Sequence, residues 1–185
     1  MIRVSFRSLS APRVYPRIAT FTLAALLLAG CGGGGGGNKS SPVETVTGKT
    51  FRFSAPSGWQ TKITSLTASA APAGGGETLV SVSVFRLVKP YRPELWPKVV
   101  PELDRVAAQL ASRLHAQLAA SSTVSVAGAN ARAYELSFSH QGTDVRERIT
   151  FVLRGLREYQ LLCRWKASAS EPPACAQLSR SFRPL

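Results

Sequence analysis

The chain has 185 residues, with 23 Lys plus Arg against 10 Asp plus Glu, a formal net charge of +13. That length holds one ordinary domain with flanking segments, and a hydrophobic share of 44% excludes a wholly disordered chain. Three cysteines and two histidines are too few for a disulfide-dense scaffold or a multi-ligand metal centre, and the basic surface favours anionic partners.

Residues 1–30 carry Arg3, Arg7, Arg13 and Arg17 and no acidic residue. The apolar run from Ala19 to Leu28 is too short to cross a bilayer, which takes about 20 apolar residues. It reads as an export signal, removed in the mature protein. The run ends in Leu28-Ala29-Gly30-Cys31, which resembles the lipobox of bacterial lipoproteins. The resemblance implies cleavage before Cys31 and acylation of its thiol and its new amine. Several acyl chains anchor stably where one does not. Gly32, in place of Asp, implies the outer membrane, facing the periplasm, in a Gram-negative envelope. In a Gram-positive one the place is the outer face of the cell membrane. Without residues 1–30 the chain keeps 19 basic residues against 10 acidic, a charge of +9. Outside the cytoplasm the anionic partner is an envelope component or an acidic protein, not nucleic acid.

Residues 31–48 read as a flexible tether. Gly32 to Gly37 is unbroken glycine, followed by Asn38-Lys39-Ser40-Ser41-Pro42. The text approaches a phosphate-binding loop, but Asn38 separates the last glycine from Lys39 and no strand precedes it.

Residues 49–185 form the domain. Phe51 and Phe53 alternate with polar residues in a first strand that stops at the turn Ala55-Pro56-Ser57-Gly58. Trp59 to Leu66 is a second strand, 70–76 a loop, and Thr78 to Val88 a third strand with Val80, Val82 and Val84 on one face. Leu95, Trp96, Val99, Leu103, Val106, Leu110, Leu114 and Leu118 recur at helical spacing. Pro93, Pro97 and Pro101 crowd the start of that stripe, so the regular helix is expected from Pro101 to about Ala120. Four strands follow at Thr123–Val126, Arg132–His140, Asp144–Arg154 and Glu158–Lys166, with tight turns at Gln141-Gly142 and Gly155-Leu156. Ala174 to Ser181 is a short terminal helix. Cys163 and Cys175 remain as a pair in a compartment that permits disulfides.

The opening Phe51-Arg52-Phe53-Ser54-Ala55-Pro56-Ser57-Gly58-Trp59 resembles that of PsbP-like domains and of the bacterial DcrB lipoproteins. The likeness runs on through the long helix, the step Ala127-Gly128-Ala129-Asn130-Ala131-Arg132, the paired strands and the closing Ser181-Phe182-Arg183. It implies an α+β fold, an antiparallel sheet flanked by a long helix and a short C-terminal one in an α/β/α sandwich. It also implies a domain that works by binding proteins. It carries over no catalytic residue, cofactor or metal site, and the chain has neither a G-x-S-x-G elbow nor an H-E-x-x-H motif.

One surface stands out. Alternation puts Arg146, Arg148 and Arg154 on one face of their strand, and Arg164 and Lys166 on one face of the next. If both apolar faces pack on the long helix, the five cations form one basic docking face for an acidic partner. The expected function is a non-enzymatic, membrane-anchored envelope lipoprotein that binds or chaperones a protein. The alternatives are an immunity-type inhibitor of a toxin at the envelope and a ligand-binding or hydrolytic domain.

Overall fold

The computed structural model describes residues 42–185. The export segment, Cys31 and the glycine run lie outside the described residues.

The chain begins with β1 (Val43–Thr47), β2 (Phe51–Pro56), β3 (Trp59–Ile63), β4 (Thr67–Pro72) and β5 (Leu79–Tyr91). A 3-10 turn at Pro93–Leu95 leads into α1 (Trp96–Leu114). Then come β6 (Gln117–Val126), β7 (Ala129–His140), β8 (Thr143–Lys166), α2 (Pro173–Ser181) and β9 (Arg183–Pro184). A small antiparallel sheet has the order β1-β2-β9, and a large one the order β3-β4-β5-β8-β7-β6.

The element β8 is a hairpin in itself. As one straight strand its 24 residues would hold Asp144 and Ala167 about 75 Å apart. Instead the Ala167 amide donates to the Asp144 carbonyl at 2.8 Å. The reversal lies at Gly155-Leu156, where Gly155 alone is left-handed (φ 52°), the pattern of a type II′ turn. The first arm pairs with β7 over residues 143–152 and the second with β5 over residues 155–164. The expected hairpin is therefore present.

Both faces of the large sheet are buried over its central strands. On one, Val99, Leu103, Ala107 and Ala111 of α1 pack against Tyr134, Leu136, Ile149, Phe151 and Leu153. On the other, Val46, Phe51, Phe53 and Ala55 of the small sheet join Ala174, Cys175 and Leu178 of α2. Together they cover Val80, Val82, Val152, Tyr159, Leu161 and Trp165. Cys163 and Cys175 are joined at an S–S distance of 1.96 Å, fastening α2 to the second arm of β8.

Several expected boundaries move. Strand pairing begins at Val43, ahead of residue 49, because β1 adds a strand to β2 and buries Val46. The second strand stops at Ile63, and the expected loop begins as β4, whose Ala68 and Ala70 are small enough to be wholly enclosed. The helix starts at Trp96 and runs through Pro101. Pro101, in the second turn, gives up the hydrogen bond to the Pro97 carbonyl and crowds it, and the helix continues through it. It ends at Leu114 because His115 turns left-handed (φ 51°), so Leu118 belongs to β6 and not to the helical stripe.

Candidate docking site

The five expected cations do not form one face. The type II′ turn sets Glu147 of one β8 arm beside Arg164 of the other, 2.6 Å apart. Residues on the Glu147 face therefore look toward α1, and residues on the Cys163 face toward α2. Arg164 and Lys166 belong to the α1 side, and Arg146, Arg148 and Arg154 to the α2 side. The expectation failed because the apolar faces of the two arms pack on different layers, not both on the long helix.

Two of the five are also neutralised. Arg148 donates both to Glu171 and to Glu135. Arg164 donates to Glu147 at 2.7 Å and stacks over the Phe138 ring at 5.5 Å. Glu147 is 2% exposed. Burial raises its pKa, and the charge of Arg164 opposes that rise. Arg146, Arg154 and Lys166 are exposed.

A different basic surface emerges at one end of the domain. A trough of about 420 Å³ runs along the α2 side of the large sheet. Ala120, Ser122 and Val124 of β6 and Ala133 of β7 line it, with Ser179 and Arg180 contributed by α2. Beside it, sharing Ser125, Ser179 and Arg180, lies a second hollow of about 410 Å³ that Ala127, Gly128 and Arg183 also line. Arg154 reaches this hollow by donating to the Ala127 carbonyl at 3.2 Å. Arg183 donates to the carbonyls of Arg180 and Phe182, and Arg52 lies opposite it in the strand register. Arg157 donates to the Leu185 main-chain oxygen at 3.2 Å and lies opposite Arg86.

These pairings and backbone contacts account for six exposed arginines, Arg52, Arg86, Arg154, Arg157, Arg180 and Arg183. None has a carboxylate side chain as partner among the described residues. Of these only Arg154 belongs to the expected face. Arg180 and Arg183 escaped notice because their place depends on β9 pairing with β2, more than a hundred positions earlier.

Other polar groups hold the layers together. The Tyr134 hydroxyl donates to Asp104 at 2.7 Å and Arg132 Nε donates to the same oxygen at 3.0 Å, tying α1 to β7. Burial and then the bond to Asp104 push the Tyr134 phenol well above its usual value. For Asp104, burial works against ionisation, but the bonds from Tyr134 and Arg132 prevail and lower its pKa. His140 contacts Glu77 at 2.8 Å at the tip of the β7–β8 hairpin. Among the described residues no group of His, Cys, Asp and Glu has the arrangement of a metal site. No helix among them is long and apolar enough to cross a membrane.

No protein-family model and no curated protein sequence matches the chain. Solved structures do. The solution structure of cyanobacterial PsbP (CyanoP) from Synechocystis sp. PCC 6803 is similar over 83% of this chain and 98% of its own, with 11% identity and a TM-score of 0.59. A crystal structure from Bacteroides thetaiotaomicron is similar over 78% of this chain, with 12% identity and a TM-score of 0.56. The chain spans about half of that protein, 48% of its length. LpqN of Mycobacterium tuberculosis, described as involved in cell envelope biogenesis, aligns over 79% of this chain and 87% of its own, with 13% identity and a TM-score of 0.48. Two antiparallel sheets, a long helix and a short C-terminal helix, in the arrangement of CyanoP, make this a domain of PsbP-like fold.

Proposed function

We propose that this is a bacterial envelope lipoprotein, anchored through acylated Cys31, whose PsbP-like domain binds an acidic protein partner and catalyses no reaction. The observation that carries the reading is the group of six arginines, none of which has a carboxylate side chain as partner among the described residues. Unpaired guanidinium groups clustered on one surface attract and orient an anionic partner, and arginine is enriched at protein interfaces. Position adds to this. The described chain enters at the Val43 end of β1, while Arg52 and Arg183 lie at the Thr47 end. Those ends are about 15 Å apart along the strand, so the basic end is remote from the entry. Anchoring rests on the lipobox resemblance at Leu28-Ala29-Gly30-Cys31.

Two experiments test the reading. Cys31→Ala or globomycin should block processing and release the protein from the membrane fraction; unchanged fractionation refutes the anchor. Crosslinking capture from the native envelope should recover one dominant acidic partner. Arg180→Glu with Arg183→Glu should reduce its recovery about tenfold, and the effect should shrink at high salt. Undiminished recovery refutes the basic end as the docking surface.

A further inference from the structure

β6 is the outer strand of the large sheet. β7 pairs with one of its edges, and among the described residues no strand pairs with the other. Natural sheets guard such edges with charges, proline or very short strands, because an open row of amides and carbonyls invites another chain. β6 has ten residues, no charge and no proline, and residues 117–125 are all exposed. Its one irregularity is a register shift between Leu118 and Ala120, leaving 120–126 regular.

The edge has a chemically defined setting. On its α2 side lies the trough floored by Ala120, Ser122 and Val124, small side chains that leave room for others. At the Val126 end the trough meets Arg180 and Arg183. At the Ala120 end Glu135 and Glu171 are already engaged by Arg148.

We infer that β6 accepts an extended acidic segment of the partner protein as an added strand. Its main chain bonds the open edge, and its carboxylates enter the trough to meet Arg180 and Arg183. Strand addition of this kind draws affinity from main-chain hydrogen bonds and specificity from alternate side chains. A second copy fits less well. It brings the same positive charge and no free carboxylate beside the trough. The inference rests on the protein-binding reading above and adds the mode of binding.

The test uses the full chain in detergent and a displayed library of random twelve-residue peptides. Selected peptides should carry Asp or Glu at alternate positions, and binding should slow amide exchange in residues 120–126. Counting from the two-residue turn Ala127-Gly128, the main-chain groups of Thr123 point away from β7. Thr123→Pro should therefore weaken binding about tenfold or more while the β7 pairing persists. N-methylation of a selected peptide leaves the protein untouched. Methylating alternate amides should abolish binding, and methylating the intervening ones should not.

If Arg180→Glu with Arg183→Glu weakens binding but Thr123→Pro and N-methylation do not, strand addition is wrong and the protein-binding reading stands. If no peptide is enriched and the arginines instead bind phosphatidylglycerol vesicles, both are wrong. Self-association abolished by Thr123→Pro would make a second copy the occupant and overturn the inference.

Discussion

Glu147 and Arg164 lie face to face across the two arms of β8, 2.6 Å apart, with the carboxylate buried. Removing one member of a buried pair leaves the other charge without compensation, which costs about 3–5 kcal/mol. Glu147→Ala should therefore lower unfolding stability on that scale in urea titrations. Glu147→Ala with Arg164→Met should recover part of the loss. Equal destabilisation by the single and double variants would show that the pair does not couple.

Glu158 makes the opposite case. It is 3% exposed, and its carboxylate accepts a hydrogen bond from Gln160 at 2.7 Å. Burial raises its pKa, only partly offset by that bond. The folded state then holds the proton more tightly than the unfolded chain. Stability falls as pH rises from the ordinary glutamate value to the raised folded one, and is level above it. Glu158→Gln should raise the melting temperature at pH 8, change it little at pH 4, and flatten the slope between. A variant less stable than the parent at pH 8 would refute this.

Asp104 reverses the sign. Its lowered pKa contributes stability that is present above the ordinary carboxylate range and lost as pH falls through the folded value. Tyr134→Phe removes one of its two donors and should cost about 1–2 kcal/mol, with a smaller cost in acid. Urea unfolding at pH 7 and pH 3 would read both numbers. An equal cost at the two pH values would show that the hydroxyl acts without the carboxylate.

Cys163 and Cys175 close a loop 12 residues apart in sequence. By the chain-entropy estimate such a link contributes about 3 kcal/mol. Reduction, or Cys175→Ala, should lower stability by that amount and expose the α2 helix to amide exchange before the sheet. Identical melting with and without reductant would contradict it.

Ala127 is left-handed (φ 50°) in the β6–β7 turn, a conformation that costs a residue with a Cβ about 1–2 kcal/mol. Ala127→Gly should recover part of that, raising stability by about 0.5–1 kcal/mol against the entropy glycine loses on folding. Thermal unfolding of the single variant is sufficient, and a lower melting temperature would reject the argument.

What could be read from residues alone follows from the range of the forces involved. The stripe on α1, the valines of β5 and the turns at Gln141-Gly142 and Gly155-Leu156 are local, and each was legible. His115 ends α1 by a backbone twist that histidine does not advertise, so Leu118 looked like one more helical residue. β4 is mostly alanine, serine and threonine, whose burial depends on neighbours and not on their own hydrophobicity. Alternation correctly placed every cation on a face of its own strand arm. It could not say which layer each face meets, because that depends on how α1, α2 and the small sheet divide the two sides.

The closing pair of strands has a consequence for how the domain forms. β9 completes the small sheet with β2, and the Ser54 amide donates to the Ser181 hydroxyl across 127 positions. Contacts so distant in sequence form late, since the loop between them must be closed first. Phe51 and Phe53 therefore lack the part of their cover that α2 and Phe182 supply until residues 174–184 have arrived. A chain that cannot complete its core while still being made meets its aggregation risk only after its last residues are released.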